Sequence, residues 1–316
     1  MVEQGSPVDV AIIGAGPDGL TAAIYTGRAL LSTVVIEKGR PGGQLNETDL
    51  IENWPGFAET ISAPELMEQL RAQAERFGAE FVFDEVSRIE PDDEAHTIVA
   101  PEGAIRARSV IVACGSRPKT LPAEGAEKLK GKGVSYCAIC DGFFFRGKRI
   151  LEVGAGDSGL TESLFLTRFA ESVSIVIRHP QDDPKAFRAS PILQRQVKEH
   201  PKIGFLWNRA VDAVLGADRI EGVRLRDLTT GKTEEVPADG IFINIGHLPQ
   251  TEFLRGTVGL DPDGYIVTDK WLRTNVPGIF AAGDCRIGST RYAQGVVAAG
   301  EGAIAAIEAE KHLTAS

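Results

Sequence analysis

Two cysteines three positions apart, Cys137 and Cys140, are the residues whose spacing most directly implies chemistry. Thiols at this spacing can close a small disulfide ring, and at a helix start one thiol has a lowered pKa, so that its thiolate is a nucleophile. Asp141 follows directly and can give or take the proton of the leaving thiol. A zinc site needs two further ligands, and the sequence has no second CxxC or CxxH motif. The pair therefore predicts a redox disulfide and no metal site, with two inert buried cysteines as the alternative.

A glycine-rich turn near the N-terminus has the spacing of a dinucleotide-binding loop. Gly14, Gly16 and Gly19 follow an apolar strand at residues 8–13 and lead into a helical pattern. The first glycine permits a tight turn, the second lets the backbone approach a pyrophosphate, and the third allows the helix to pack closely on the strand. Glu37 ends the next strand, where a carboxylate binds ribose hydroxyls and repels a 2′-phosphate. The turn predicts an FAD or NAD site, and a turn without a ligand is the alternative.

The same signature occurs a second time, after the cysteine pair. Gly154, Gly156 and Gly159 again lie between a strand and a helix, but the following strand ends on Arg178 instead of an acid. Without the acid NAD is disfavoured, and an arginine can meet a 2′-phosphate. A unit that kept its fold and lost its ligand is the alternative.

Predicted strands and helices alternate along the chain on either side of these residues. Two glycine-turn units in tandem, with no low-complexity linker, predict an α/β protein with two Rossmann-like domains. Any domain boundary must lie in short loops near Pro118 and Gly246. The predicted strands are 8–13, 33–36, 110–114, 149–153, 172–177, 241–245 and 278–282, and the predicted helices are 20–25, 64–77, 160–169 and 296–312.

Composition excludes several classes of partner. The net charge is −10, which disfavours nucleic acid and anionic membrane surfaces, since both require clustered Lys and Arg. No run of 18 apolar residues is present, so no transmembrane helix is predicted. Residues 1–4 have no basic segment of the kind that begins a signal peptide, which favours a cytoplasmic protein.

Two further features carry weaker signals. Gly43 and Gln44 follow the strand that ends on Glu37, and their loop can lie against a flavin ring with Gln44 as a donor, or can be a plain surface turn. Cys114 and Cys285 are distant from the cysteine pair in sequence, and we interpret both as small core residues.

Five motifs occur in a characteristic order and spacing. They are Gly14-Ala15-Gly16-Pro17, Gly42-Gly43-Gln44-Leu45, Glu52-Asn53-Trp54-Pro55-Gly56, Cys137-Ala138-Ile139-Cys140-Asp141-Gly142 and Ala281-Ala282-Gly283-Asp284. Taken together they resemble the low-molecular-weight thioredoxin reductases across essentially the whole chain.

This resemblance implies a particular arrangement of domains. An FAD-binding domain made of residues 1–118 and 246–316 is expected, with a nicotinamide-type domain, residues 119–245, inserted into it and carrying the CxxC motif. Homodimers are expected. The flavin would reduce the disulfide, the dithiol would reduce thioredoxin, and the inserted domain would rotate between the two partners. By the same resemblance Asn53, Asp284 and Gln294 are expected to contact FAD, and Asp141 to be the acid beside the disulfide.

The sequence departs from the family pattern where NADPH is expected. Arg178-His179 replaces a longer basic motif, and the acids Asp182 and Asp183 are inserted before Arg188. Thr161 replaces the first of two glutamates, and Ala293 replaces an arginine. These departures leave the electron donor open between weakly bound NADPH, ferredoxin and a second flavin. A flavin-binding redox sensor without turnover is the remaining alternative, disfavoured by the intact cysteine pair and its acid.

Overall fold

The computed structural model describes residues 6–47, 50–51, 53–289 and 292–315, which form two compact units. Unit 1 comprises Met1–Arg117 and Leu248–Ser316, and unit 2 comprises Pro118–His247. The inserted segment thus begins at Pro118, where the sequence predicts 119, and ends at His247, where the sequence predicts 245. Residues 1–4 and Glu52, which entered the sequence predictions, lie outside the described residues.

The secondary structure alternates between strands and helices for most of the chain. In chain order the elements are β1 Val8–Ile13, α1 Pro17–Arg28, β2 Thr33–Glu37, β3 Leu50–Ile51, β4 Ile61–Ser62, α2 Ala63–Arg76, β5 Glu80–Phe83, β6 Arg88–Glu90, β7 His96–Ala100, β8 Gly103–Val112, β9 Ser116–Pro118, β10 Val134–Ser135, α3 Ala138–Asp141, β11 Arg149–Val153, α4 Asp157–Leu166, β12 Ser172–Ile177, α5 Pro191–Glu199, β13 Ile203–Trp207, β14 Arg209–Leu215, β15 Gly222–Asp227, β16 Thr233–Pro237, β17 Gly240–Ile243, β18 His247–Pro249, β19 Ile279–Ala281 and α6 Gly295–Ala315.

Unit 1 is built on a sheet with the strand order β5-β2-β1-β8-β7-β6, in which β19 also pairs with β8. The neighbouring strands β5, β2, β1, β8 and β19 are parallel to one another. Strand β7 is antiparallel to β8, and β6 is antiparallel to β7. Nearly every residue of β1 is apolar because both of its faces are covered. Val10 and Ile12 pack in a cluster with Leu20 of α1 and Ala305 of α6, and the alternate residues pack in a second cluster on the opposite face.

Unit 2 repeats this plan on a smaller scale. Its five strands, in the order β10-β17-β11-β12-β13, are all parallel, and β14, β15 and β16 form a separate antiparallel sheet. The two glycine turns follow β1 and β11 directly, at the carboxyl edge of each parallel sheet, where ligands of such folds bind. The predicted fold class, α/β with two Rossmann-like domains, is confirmed.

Several element boundaries differ from the sequence predictions. The strand predicted at 110–114 ends at Val112, because the chain turns at Gly115, where φ is +63°. The helix predicted at 160–169 spans Asp157–Leu166, since it begins directly after the glycine turn. Among the described residues, no helix combines the length and the apolar character needed to cross a membrane.

Candidate active site

The two closely spaced cysteines form a disulfide at the start of a short helix. Cys137 is the N-cap residue of α3, and its Cα lies 5.4 Å from the Cα of Cys140. The backbone N–H of Cys140 donates to Cys137 Sγ at 3.2 Å. A sulfur that already accepts an N–H bond is a favourable place for negative charge, so Cys137 is the better placed of the two sulfurs to become a thiolate.

Asp141 is held beside the disulfide by a serine that the sequence analysis did not single out. Ser135 Oγ donates to Asp141 Oδ2 at 2.6 Å and accepts the backbone N–H of Cys137 at 3.1 Å. Ser135 is buried, so this hydroxyl links the acid to the cysteine backbone away from solvent. The sequence offered one local indication of this role, namely that Ser135 ends a strand two positions before the CxxC motif.

Large apolar side chains next to the disulfide are exposed. Ile139, Phe143 and Phe144 have exposed fractions of 47%, 47% and 54%. Ile139 lies between the two cysteines in sequence, and the phenylalanines belong to the 3-10 turn Gly142–Phe145 that follows α3. Exposed apolar groups clustered around reactive residues are typical of a surface that binds another protein.

The first glycine turn has little room for side chains. A Cβ on Gly14 would lie 2.1 Å from the carbonyl oxygen of Ala113, and a Cβ on Gly19 would lie 1.9 Å from that of Gly14. Helix α1 begins with Pro17. Its N-cap residue is Gly16, which has no side chain to cap the first backbone N–H groups. An uncapped helix start behind a tight glycine turn has the features of a phosphate-binding loop.

The residues predicted around this turn lie close to it. Glu37 Oε2 accepts the N–H of Ala15 at 2.8 Å, which brings the carboxylate against the turn. A Cβ on Gly43 would lie 3.3 Å from the Cα of Gly16, so the second loop packs on the first. Gln44 instead donates its side-chain amide to the carbonyl oxygen of Ser116 at 2.8 Å.

Two of the side chains that the family resemblance implies as FAD contacts, Asn53 and Gln294, lie within hydrogen-bond distance of each other. Asn53 Nδ2 donates to Gln294 Oε1 at 3.2 Å, although 241 residues separate them. Ala293, which stands where the family has an arginine, has a positive φ of +33° and precedes α6.

Three buried or nearly buried acids lie close together beside the first turn, and two of them were missed by the sequence analysis. Burial raises the pKa of Asp18 well above its ordinary value, and repulsion by Asp284 and Glu301 adds to this. Burial and the charge of Glu301 raise the pKa of Asp284 to about 6. Glu301 is compensated, since Arg286 Nε donates to it at 2.9 Å and the N–H of Gly283 at 2.8 Å. Within the described part of the chain, the buried Oδ1 of Asp284 has no hydrogen-bond partner.

The second glycine turn has similar steric limits but is more open at its centre. A Cβ on Gly154 would lie 2.2 Å from the carbonyl oxygen of Asn244, and a Cβ on Gly159 would lie 2.5 Å from that of Gly154. Nothing lies within 4 Å of a Cβ on Gly156. The N–H of Arg188 donates to the carbonyl oxygen of Ala155 at 3.0 Å, so this arginine stands beside the turn.

The inserted acids are not both free to oppose a phosphate. His179 Nδ1 lies 2.9 Å from Asp183 Oδ2, and the N–H of Lys185 donates to Asp183 Oδ1 at 2.8 Å. Asp182 is exposed, as are Arg178 and Arg188. Asp183, one of the two inserted acids, is therefore paired with the histidine that replaces the expected arginine.

The remaining two cysteines lie in unit 1 and are not joined by a disulfide. Cys285 is fully buried, as expected for a small core residue, whereas Cys114 is partly exposed. A hydrogen bond with Cys114 and burial raise the pKa of the Cys285 thiol well above its ordinary value. A thiol of this kind is a weak nucleophile.

Comparison with known proteins gives a consistent result. Residues 8–302 match the model of the family described as pyridine nucleotide-disulphide oxidoreductase. A thioredoxin reductase of Listeria monocytogenes is 41% identical over 99% of this chain and 96% of its own, and one of Streptomyces coelicolor is 44% identical over 97% and 94%. The crystal structure of a thioredoxin reductase from Streptococcus pyogenes matches with a TM-score of 0.90 and 37% identity, over 99% of this chain and all of its own.

Proposed function

The chain belongs to the thioredoxin reductases of the pyridine nucleotide-disulphide oxidoreductase family, and we propose that it uses FAD to reduce its Cys137–Cys140 disulfide and then a thioredoxin. The observation that carries this proposal is the disulfide itself, with Asp141 held beside it through Ser135. The test is thioredoxin reduction by the purified, FAD-loaded protein under chemical reduction, with Cys137→Ser as the inactive control. A protein that takes up no FAD, or that reduces thioredoxin equally well without Cys137, contradicts the proposal.

The residues around the first turn fit FAD. Side chains are excluded from Gly14 and Gly19, the start of α1 is uncapped, and the buried Oδ1 of Asp284 lacks a donor that a cofactor hydroxyl would supply. Glu37 lies against the turn, where it can bind a ribose hydroxyl. Burial raises the pKa of Asp18 well above its ordinary value, which favours a neutral side chain beside the pyrophosphate that this turn would hold. Bound FAD would supply the two-electron chemistry that the side chains lack.

The residues around the disulfide can stabilise a thiolate on Cys137 and exchange a proton with it. Breaking the S–S bond with two electrons and two protons yields two thiols. The N–H of Cys140 stabilises a thiolate on Cys137, and the Cys137 thiolate is the group that attacks or leaves in disulfide exchange. Asp141, oriented by the hydroxyl of Ser135, is the group that gives or takes the accompanying proton.

The exposed side chains of Ile139, Phe143 and Phe144 are proposed to bind thioredoxin during this exchange. Truncating a central aromatic group of a protein interface typically costs a few kcal/mol, so Phe144→Ser is expected to raise the KM for thioredoxin about tenfold or more. Reduction of the enzyme's own disulfide by dithiothreitol should not change. Trp271→Ser is the matched control, because Trp271 is 48% exposed and lies in unit 1. Equal KM values for Phe144→Ser and Trp271→Ser would show that Phe144 does not contribute to thioredoxin binding.

We propose NADPH as the electron donor, bound at the second turn by Arg178 and Arg188. The family description supports a pyridine nucleotide, and both arginines are exposed, with the backbone of Arg188 against the turn. Binding is expected to be weak, since losing one charged phosphate contact costs about 1.5–3 kcal/mol, or one to two decades in affinity. The inserted Asp183 is hydrogen-bonded to His179, which holds this carboxylate in place beside the histidine.

Anaerobic titration with NADPH, followed by flavin absorbance, tests this donor. The expected result is bleaching that requires a large excess of NADPH and is lost in Arg188→Ala. Full bleaching at stoichiometric NADPH would show that the departures from the family pattern do not weaken binding. No bleaching at any concentration would exclude NADPH and return the donor to ferredoxin or a second flavin. Homodimerisation, like the donor, rests on the family resemblance and is a prediction for sedimentation measurements.

A further inference from the structure

A glutamate is buried in the centre of the unit 2 sheet, where an apolar residue is expected. Glu152 is in β11 and is 0% exposed, and its partners on the neighbouring strands are Ile175 and Phe242. Its Oε1 accepts from Asn244 Nδ2 at 2.9 Å, and within the described residues its Oε2 has no partner. Burial and the nearby Glu162 raise the pKa of Glu152 well above its ordinary value. This environment favours the neutral form of the carboxyl.

Glu152 is joined to a second carboxyl through one amide group. Asn244 Nδ2 also donates to Glu162 Oε2 at 2.7 Å, so the two glutamates share one donor nitrogen. We call Glu152 and Glu162 the carboxyl pair. Burial raises the pKa of Glu162, the charge of Asp141 adds to this, and the hydrogen bonds from Asn244 and Ala138 oppose it. Since both hydrogen bonds favour the charged form, Glu162 is the member that ionises first.

The carboxyl pair reaches the backbone of the disulfide. Glu162 Oε2 accepts the N–H of Ala138 at 3.0 Å, and Ala138 directly follows Cys137 in the chain. Among the described residues, the acidic groups that interact with the pair are its own two members and Asp141. A negative charge on Glu162 therefore lies about one peptide unit from Cys137 and opposes a thiolate there.

We propose that the carboxyl pair holds one proton and one negative charge, and that this charge sets how readily the Cys137–Cys140 disulfide accepts two electrons. The inference rests on the proposed redox role of the disulfide. Reduction by dithiothreitol breaks the S–S bond and forms two thiols, while dithiothreitol closes its own disulfide, so two electrons and two hydrogens are transferred. At higher pH the Cys137 thiol releases its proton to solvent, and the charged Glu162 makes this step less favourable. Glu152 and Glu162 are thus positioning residues that do not touch the substrate.

The test is the equilibrium of the disulfide with dithiothreitol redox buffers from about pH 6 to about pH 9, read by thiol alkylation and mass spectrometry of the Cys137 peptide. Glu162→Gln removes the charge and is expected to lower the pKa of the Cys137 thiol by about one unit, which favours the dithiol about tenfold at the alkaline end. Glu152→Gln keeps a neutral partner and leaves the charge on Glu162, so its reduced fraction should follow the wild type across the pH range.

Glu199→Gln, an exposed residue of α5, is the matched control and should follow the wild type throughout. Identical pH profiles for all three variants would overturn the proposal. If Glu162→Gln does not fold, the proposal is tested instead by infrared difference spectra of the wild type, recorded between the oxidised and the reduced disulfide. Reduction should shift the band of a protonated carboxyl, and that band should be absent in Glu152→Gln; an unchanged spectrum overturns the idea. A disulfide that dithiothreitol cannot reduce in any variant would instead contradict the proposed function.

Discussion

Asp284 provides a prediction in which stability and cofactor binding should move in opposite directions. Its pKa of about 6 in the folded protein lies above the ordinary 3.8, a difference of about two units. Each unit corresponds to about 1.4 kcal/mol, so ionised Asp284 destabilises the folded apoprotein at neutral pH by about 2–3 kcal/mol. The origin is burial and the charge of Glu301, which outweigh the opposing effect of the Ser289 side chain.

The sign of the pH dependence follows from the raised pKa. The folded state binds the proton more tightly than the unfolded state, so this contribution to stability is fully present below pH 3.8 and is lost as the pH rises through about 6. Asp284→Asn has no proton to lose. The variant apoprotein is therefore expected to be more stable than the wild type by about 2–3 kcal/mol above about pH 7, and equally stable below about pH 4.

FAD binding should respond in the other direction. Charged Asp284 is the stronger acceptor for a cofactor hydroxyl, so Asp284→Asn is expected to weaken FAD binding about tenfold. The assays are urea unfolding of the apoprotein across this pH range and fluorescence titration with FAD. Asp263→Asn, at an exposed acid of the same unit, is the control. If Asp284→Asn is less stable than the wild type at neutral pH, the assigned burial energy is wrong; unchanged FAD affinity would remove Asp284 from the cofactor site.

Further substitutions test the remaining assignments. Glu37→Ala is expected to weaken FAD binding by about 1.5–3 kcal/mol through loss of a charge-assisted hydrogen bond, measured by the same titration, and unaltered affinity would argue against a ribose contact. Cys137→Ser should leave the flavin reducible and abolish thioredoxin reduction, whereas Cys285→Ser should change only thermal stability; the reverse pattern would exchange their roles. Asp141→Asn should slow disulfide exchange by about 10²-fold in stopped-flow measurements, the usual effect of removing a positioned acid, and a normal rate would assign the proton to another group.

Features that depend on local spacing could be predicted from the amino-acid sequence alone. The glycine turns, the cysteine pair and the alternation of strands and helices need only neighbouring residues, and Rossmann-like units follow from them. Strand β11 was predicted at Arg149–Val153, where the structure has it, because a strand buried on both faces is apolar over most of its length.

Which distant side chains meet, and in which direction their pKa values shift, depends on how the chain packs. Glu152 and Asn244 are 92 positions apart, and Asn53 and Gln294 are 241 apart, so neither pair has a local signature. Glu152 lies in a strand that the sequence predicted, and only packing shows that its carboxyl is buried with Asn244 as a donor. A pKa depends on burial and on nearby charges, and both are properties of the folded chain, which is why these groups emerged only from the structure.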